Sequence, residues 1–127
     1  MPHMTVHVPE AQLTGREPAL IVALTEAVVG VYGEWAREHV IIRLDGVREG
    51  RWGVGGRAVD DAAPAVTFGI REAAFTRPDA KDMLASLAAA LTDALVSVLG
   101  DHTRDGTSIE LIATPPGRTA HAGVITE

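Results

Sequence analysis

Pro2 directly follows the initiator methionine and directly precedes a segment with the alternating pattern of a β-strand. Removal of a methionine before a small second residue would leave Pro2 as a free secondary amine. An α-amino group has an ordinary pKa of about 7.7 to 8, and burial beside cations lowers it. Pro2 is therefore a candidate neutral general base near pH 7. Proline at this position is also common in proteins where it has no such role.

Arg77 stands at the opening of a predicted helix. The N-terminus of a helix favours anions, and a guanidinium binds a carboxylate through two parallel hydrogen bonds. Arg77 is therefore a candidate for holding a substrate carboxylate. The alternative is an ordinary solvated surface charge.

Two helices and four strands must position these residues. The segment Thr14-Gly-Arg-Glu17 has the form of a capping box and predicts a helix from about Thr14 to Tyr32. The segment Thr76-Arg-Pro-Asp79 predicts the start of a second helix, which ends at Gly100. Period-two alternation predicts strands around Val6 and Val8; Val40, Ile42 and Leu44; Val66, Phe68 and Ile70; and Ile109, Leu111 and Ala113.

The order strand, helix, strand occurs twice, with connections long enough for parallel crossovers. We therefore predict an α+β fold: two tandem βαβ units in one four-stranded mixed sheet, with two helices on one face. Residues 1–127 form one domain, with units at about 1–57 and 58–127. A glycine-rich turn or small hairpin from Arg48 to Gly56 joins the units, and Pro115, Pro116 and Gly117 begin a tail.

The helix-free face of the sheet is mixed in character. It carries Thr5, His7, Ile41, Arg43, Thr67, Gly69 and Ile112. Hydrophobic residues make up 46% of the chain, a high fraction for a domain of 127 residues, in which surface outweighs interior. Both observations predict burial of this face between subunits.

Composition excludes several classes of function. The chain has no cysteine, a net charge of −6 and 4% aromatic residues. These values argue against a disulfide scaffold and against nucleic-acid binding, which needs a basic face and stacking rings. The five histidines show no metal-ligand spacing. We expect no metal, no cofactor and no membrane association. We also expect a cytoplasmic location, because the N-terminus lacks a signal-peptide pattern.

The chain resembles the tautomerase superfamily over essentially its whole length. The resemblance rests on Pro2 before a strand, a βαβ unit, the segment Arg51-Trp-Gly-Val-Gly-Gly56 and a second βαβ unit. It is similar to the fused members, namely the cis-3-chloroacrylic acid dehalogenase and malonate semialdehyde decarboxylase families. This resemblance implies a homotrimer with sites built around an N-terminal proline, beside arginines that hold the carboxylate of a small-molecule substrate.

The resemblance assigns the family's catalytic proline to Pro2 and a carboxylate-binding arginine to Arg77. The decarboxylase pattern Arg-Pro-Arg is Arg77-Pro-Asp79 in this chain, so Arg71 is the substitute second arginine. Arg43 is a further substrate-binding candidate. Trp52 occupies the aromatic place of the glycine-rich segment, where it walls the pocket or packs between subunits.

Glu34 or Glu38 would replace the aspartate of the decarboxylase as an acid, unless both are simply solvated. The water-activating glutamate of the dehalogenase has no clear counterpart. We therefore predict a tautomerase or isomerase of a small enolisable oxoacid. The alternatives are a decarboxylase or hydratase on the same scaffold, and a non-catalytic trimer if Met1 is retained, because Pro2 would then be an amide.

Overall fold

The computed structural model describes residues 2–126. In chain order its elements are β1 (His3–Pro9), α1 (Glu10–Leu13), α2 (Glu17–Tyr32), β2 (Ile41–Val47), β3 (Gly53–Val54), β4 (Arg57–Ala58), β5 (Ala65–Arg71), α3 (Ala73–Thr76), α4 (Ala80–Leu99), β6 (Ser108–Thr114), β7 (Thr119–His121) and β8 (Val124–Thr126). Two 3-10 turns, Glu34–Ala36 and Asp101–Gly106, follow the two long helices.

Four strands form one mixed sheet in the order β2-β1-β5-β6. The pairs β1 with β2 and β5 with β6 are parallel, whereas β1 and β5 are antiparallel in the centre. The predicted fold class is confirmed. The alternating sequence pattern predicted the strands because, along most of each strand, the side facing the helices is less exposed than the open side. This difference gives a period of two.

The core lies between the sheet and the helices α2 and α4. From the sheet it receives Met4, Val6 and Phe68, and from the helices it receives leucines such as Leu24 and Leu91, all 0% exposed. By length and composition, α4 is the one helix of residues 2–126 apolar enough to span a membrane. Its Leu87, Leu91 and Leu95 belong to this core, as expected for the central helix of a globular fold.

Both long helices start later than predicted. The hydroxyl of Thr14 donates to the carbonyl of Glu10 and ends α1, so α2 begins only at Glu17. In the second unit, Arg77 is extended with a ψ of 150°, because the residue before a proline disfavours helical geometry. Pro78 therefore separates α3 from α4, which begins at Ala80 and ends before Gly100, as predicted.

The same succession of elements occurs twice: strand, short helix, long helix, strand and hairpin. The turn or hairpin predicted around Arg48 to Gly56 is followed by the paired strands β3 and β4 at 53–58. The segment after Pro116, predicted as a tail, instead contains the hairpin β7–β8, whose strands are too short to show alternation. The division of the chain into units at about 1–57 and 58–127 stays a prediction.

A buried proline precedes the first strand of each unit. The carbonyl of Pro2 accepts a hydrogen bond from the N–H of Ile41 at 3.0 Å, at the start of β2. The carbonyl of Pro64 accepts one from the N–H of Ser108 at 3.1 Å, at the start of β6. Pro2 and Pro64 are thus equivalent positions at opposite ends of the sheet.

Candidate functional site

A groove of about 700 Å³ opens on the helix-free side of the sheet, at the end where β1 starts and β5 ends. It is lined by the strand ends, α3 and the C-terminal hairpin. The lining side chains are His3, Ile41, Arg43, Arg71, Glu72, Ala73, Thr76, Thr114, Pro115, Pro116, Thr119, His121 and Thr126. Residues distant in sequence meet here because β1 and β5 run in opposite directions.

Arg43 and Arg71 line this groove from two different strands. Within residues 2–126 neither guanidinium has a carboxylate within salt-bridge distance, and Glu72 is the one acidic residue in the lining. Two unpaired guanidinium groups facing one groove make it a suitable place for a carboxylate. The structure thus brings together two of the arginines that the sequence proposes.

Pro2 lies at the same end of the sheet as these arginines. It is buried and is not one of the lining residues, but its chain neighbour His3 and its hydrogen-bond partner Ile41 both line the groove. The hydrogen bond from Ile41 fixes the backbone of Pro2 to the start of β2. A base at this position would therefore be held next to two residues of the groove.

His3 is a groove residue that the sequence interpretation missed. Its ring lies on Gly69 of β5, the residue opposite it in the sheet. Partial burial lowers the pKa of His3, and the positive charge of Arg43 lowers it further. Extending the alternation of Thr5 and His7 back by two residues places residue 3 on the open face, and this was the available signal.

Arg77 lies outside the groove lining. Its guanidinium donates two hydrogen bonds to the carboxylate of Asp79, both at 3.0 Å, and its side chain is half exposed. Asp79 therefore occupies the fork that a substrate carboxylate would use. Arg77, which the sequence places at a helix start suited to binding a carboxylate, is therefore already paired within the chain.

Tyr32, the one tyrosine of the sequence, ends α2 near this ion pair. Its hydroxyl is buried and has no hydrogen-bond partner among residues 2–126. Burial raises its pKa, with Arg77 opposing and Asp79 adding to the change. The neutral phenol is therefore the stable form, and nothing in the sequence pattern pointed to this position.

Trp52 lies at the opposite end of the sheet from Pro2. It lines a smaller pocket of about 190 Å³ with Pro9 and Val47, the last residues of β1 and β2. The segment that carries it leaves β2 at its C-terminal end, whereas Pro2 precedes β1. Within one protomer, Trp52 therefore cannot wall a pocket around Pro2.

Glu34 and Glu38 also lie outside the groove. The Glu34 carboxylate accepts a hydrogen bond from Arg37 at 2.5 Å, and this bond holds its pKa below the ordinary range. A carboxyl with a lowered pKa is a poorer proton donor near neutral pH. Glu38 is exposed, with His39 at 3.7 Å. The geometry does not bring either glutamate to the groove.

The fold of this chain, with its doubled strand-helix-strand order and central antiparallel pair, is similar to solved structures of fused 4-OT. No protein-family model and no curated protein sequence matches the chain. Among solved structures, a fused 4-OT wild type that forms an asymmetric trimer is 25% identical, with a TM-score of 0.82, over 97% of this chain and 94% of that chain.

Two further solved structures show the same fold at lower identity. Pt0534 inactivated by 2-oxo-3-pentynoate is 20% identical with a TM-score of 0.76, over 98% of this chain and 94% of that one. A member of the cis-3-chloroacrylic acid dehalogenase family is 13% identical with a TM-score of 0.71, over 98% and 83%. The resemblance to the tautomerase superfamily is therefore confirmed.

Proposed function

We propose that this protein is a cofactor-independent tautomerase or isomerase acting on a small enolisable oxoacid. The observation that carries the proposal is the position of Pro2 immediately before β1. Its chain neighbour His3 and its hydrogen-bond partner Ile41 both line a groove whose Arg43 and Arg71 have no carboxylate partner within residues 2–126. A base beside a carboxylate-binding site is the arrangement that proton transfer on an oxoacid requires.

In the proposed reaction, the neutral amine of Pro2 takes the hydroxyl proton of an enol. A nitrogen–hydrogen bond forms as the oxygen–hydrogen bond breaks, and the resulting anion is delocalised over oxygen and carbon. The prolinium then returns the proton to carbon, and a carbonyl replaces the enol. The positive charges of Arg43 and Arg71 stabilise the anion.

We assign the substrate carboxylate to Arg71 and Arg43 rather than to Arg77. Arg71 and Arg43 face the groove, whereas the fork of Arg77 is filled by Asp79. This assignment keeps two of the three arginines that the sequence proposes and changes the order of preference among them.

The proposed function is tested on untagged protein by intact mass and by ketonisation of phenylenolpyruvate. We expect a mass lower by one methionine and a rate well above that of buffer. A free amine at Pro2 is essential because an amide nitrogen is not basic. Complete retention of Met1 would contradict the proposal and favour the non-catalytic trimer.

We further propose a homotrimer in the cytoplasm, like the trimers formed by the fused 4-OT structures. The helix-free face carries Ile41, 36% exposed, and Ile112, 42% exposed, and association would cover them. Light scattering should give about three times 13.4 kDa. A monomer at micromolar concentration would contradict this assembly.

A further inference from the structure

The imidazole of His3 occupies a place that only glycine leaves open. It extends from β1 onto Gly69 of the neighbouring strand β5. A Cβ atom at Gly69 would lie 2.3 Å from Cε1 and 2.4 Å from Nε2 of this ring. Any other residue at position 69 would displace the ring, so the absence of a side chain there positions His3.

The charged and titratable groups that share the groove with His3 come from three elements. They are Arg43 on β2, Arg71 and Glu72 at the end of β5, and His121 on β7. Within residues 2–126 the His3 ring has no hydrogen-bond partner. Its lowered pKa leaves the ring neutral at pH 7, so one nitrogen donates a hydrogen bond and the other accepts one.

The related position at the other end of β1 is different. The repeat makes Ala65 equivalent to His3 and His7 equivalent to Gly69, and all four residues lie on the same face of the sheet. His7 has a carboxylate partner, Asp45, at 3.1 Å. Of the two histidines on this face of β1, His7 is therefore paired within the protein, whereas His3 lines the groove with Arg43 and Arg71.

We infer that His3 donates a hydrogen bond to the substrate oxygen on which negative charge develops while Pro2 moves the proton. This inference rests on the proposed function. No proton leaves His3: the hydrogen bond strengthens as the enolate forms and weakens as the carbonyl returns. Because the ring shares its groove with the arginines assigned to the carboxylate, the proposed substrate carries a carboxylate and an enol or carbonyl oxygen that both reach this groove.

The test compares four variants in phenylenolpyruvate ketonisation. We expect His3→Ala to lower kcat by about 10²-fold, the size found when one oxyanion donor is removed, with little change in KM. Gly69→Ala should lower kcat similarly because its Cβ displaces the ring. The double variant should be no worse than either single variant, since both remove one interaction. His3→Gln keeps a donor and should recover part of the rate.

His7→Ala is the matched control, and its kcat should equal that of the wild type. Thermal unfolding shows whether each variant folds. If Gly69→Ala does not fold, the kcat of the double variant, in which the clash with the His3 ring is absent, is compared with that of His3→Ala instead. Unchanged kcat in His3→Ala would overturn the inference. Losses that multiply in the double variant would overturn it as well.

A binding measurement separates this inference from the proposed function. The His3 ring signals in an NMR titration with phenylpyruvate, the ketonisation product, should shift while those of His7 do not. An inactive wild type whose His3 signals shift would contradict the proposed function and support His3 as a 2-oxoacid contact. Absence of a shift would overturn the inference whether or not the protein is active.

Discussion

Replacing Pro2 by alanine is expected to lower kcat for phenylenolpyruvate ketonisation by about 10²-fold or more, the size of a general-base contribution. The substitution converts a secondary amine into a primary one, which differs in basicity and in the direction of its lone pair. It also removes the pyrrolidine ring, which restricts the backbone at this position. Steady-state kinetics on protein whose mass confirms loss of Met1 measures the effect.

Pro64→Ala is the matched control for this variant. Pro64 is buried and its carbonyl bonds to the first residue of a parallel neighbour, as the carbonyl of Pro2 does, but its nitrogen is always a peptide nitrogen. We expect an unchanged kcat. Equal losses in Pro2→Ala and Pro64→Ala would show that the rate depends on proline as a structural residue, and would contradict base catalysis.

Arg71→Ala is expected to raise KM for phenylenolpyruvate by about 10- to 100-fold, with a smaller change in kcat. Hydrogen bonds to charged groups contribute about 1.5 to 3 kcal/mol, and the carboxylate is bound before and during the reaction. Arg71→Lys should fall between wild type and Arg71→Ala, because lysine keeps the charge and loses the fork.

Arg77→Ala serves as the comparison for Arg71→Ala. Its guanidinium is already engaged by Asp79, so we expect a change in KM of less than about threefold, from lost surface electrostatics alone. If Arg77→Ala raised KM strongly and Arg71→Ala did not, the carboxylate assignment would be reversed. The ion pair with Asp79 would then have to open when substrate binds.

The strands and the open face of the sheet could be predicted because the difference in burial between the two faces produces alternating apolar and polar residues in the sequence. The positions Thr5, Arg43 and Gly69 on that face follow directly from a period of two. The starts of the helices were less accessible. At Thr14 the hydroxyl bonds back to Glu10 and does not cap α2. Near Thr76, Pro78 keeps the preceding Arg77 extended. The first residue of each long helix therefore depends on backbone geometry as well as on residue type.

The partners of the site residues could not be predicted in the same way. Whether Arg77 is free or paired depends on a distance of 3.0 Å to Asp79, which the spacing alone permits but does not require. The contact of His3 with Gly69 depends on the register between two strands separated by sixty residues. The glycine-rich segment around Trp52 suggested a residue that walls the site. It did not predict that, within one protomer, Trp52 lies at the end of the sheet opposite Pro2.

Two prolines precede strands of the sheet, but a continuous chain can leave only one of them with a free amine. The nitrogen of Pro64 is bonded to Ala63, so only the end of the sheet that begins with Pro2 can carry a basic proline nitrogen. In the proposed site, the base precedes β1 and Arg71 comes from β5, so the two strand-helix-strand segments contribute different groups. A circular permutant that opens the chain between Ala63 and Pro64 would move the free amine to the end of the sheet that Trp52 occupies.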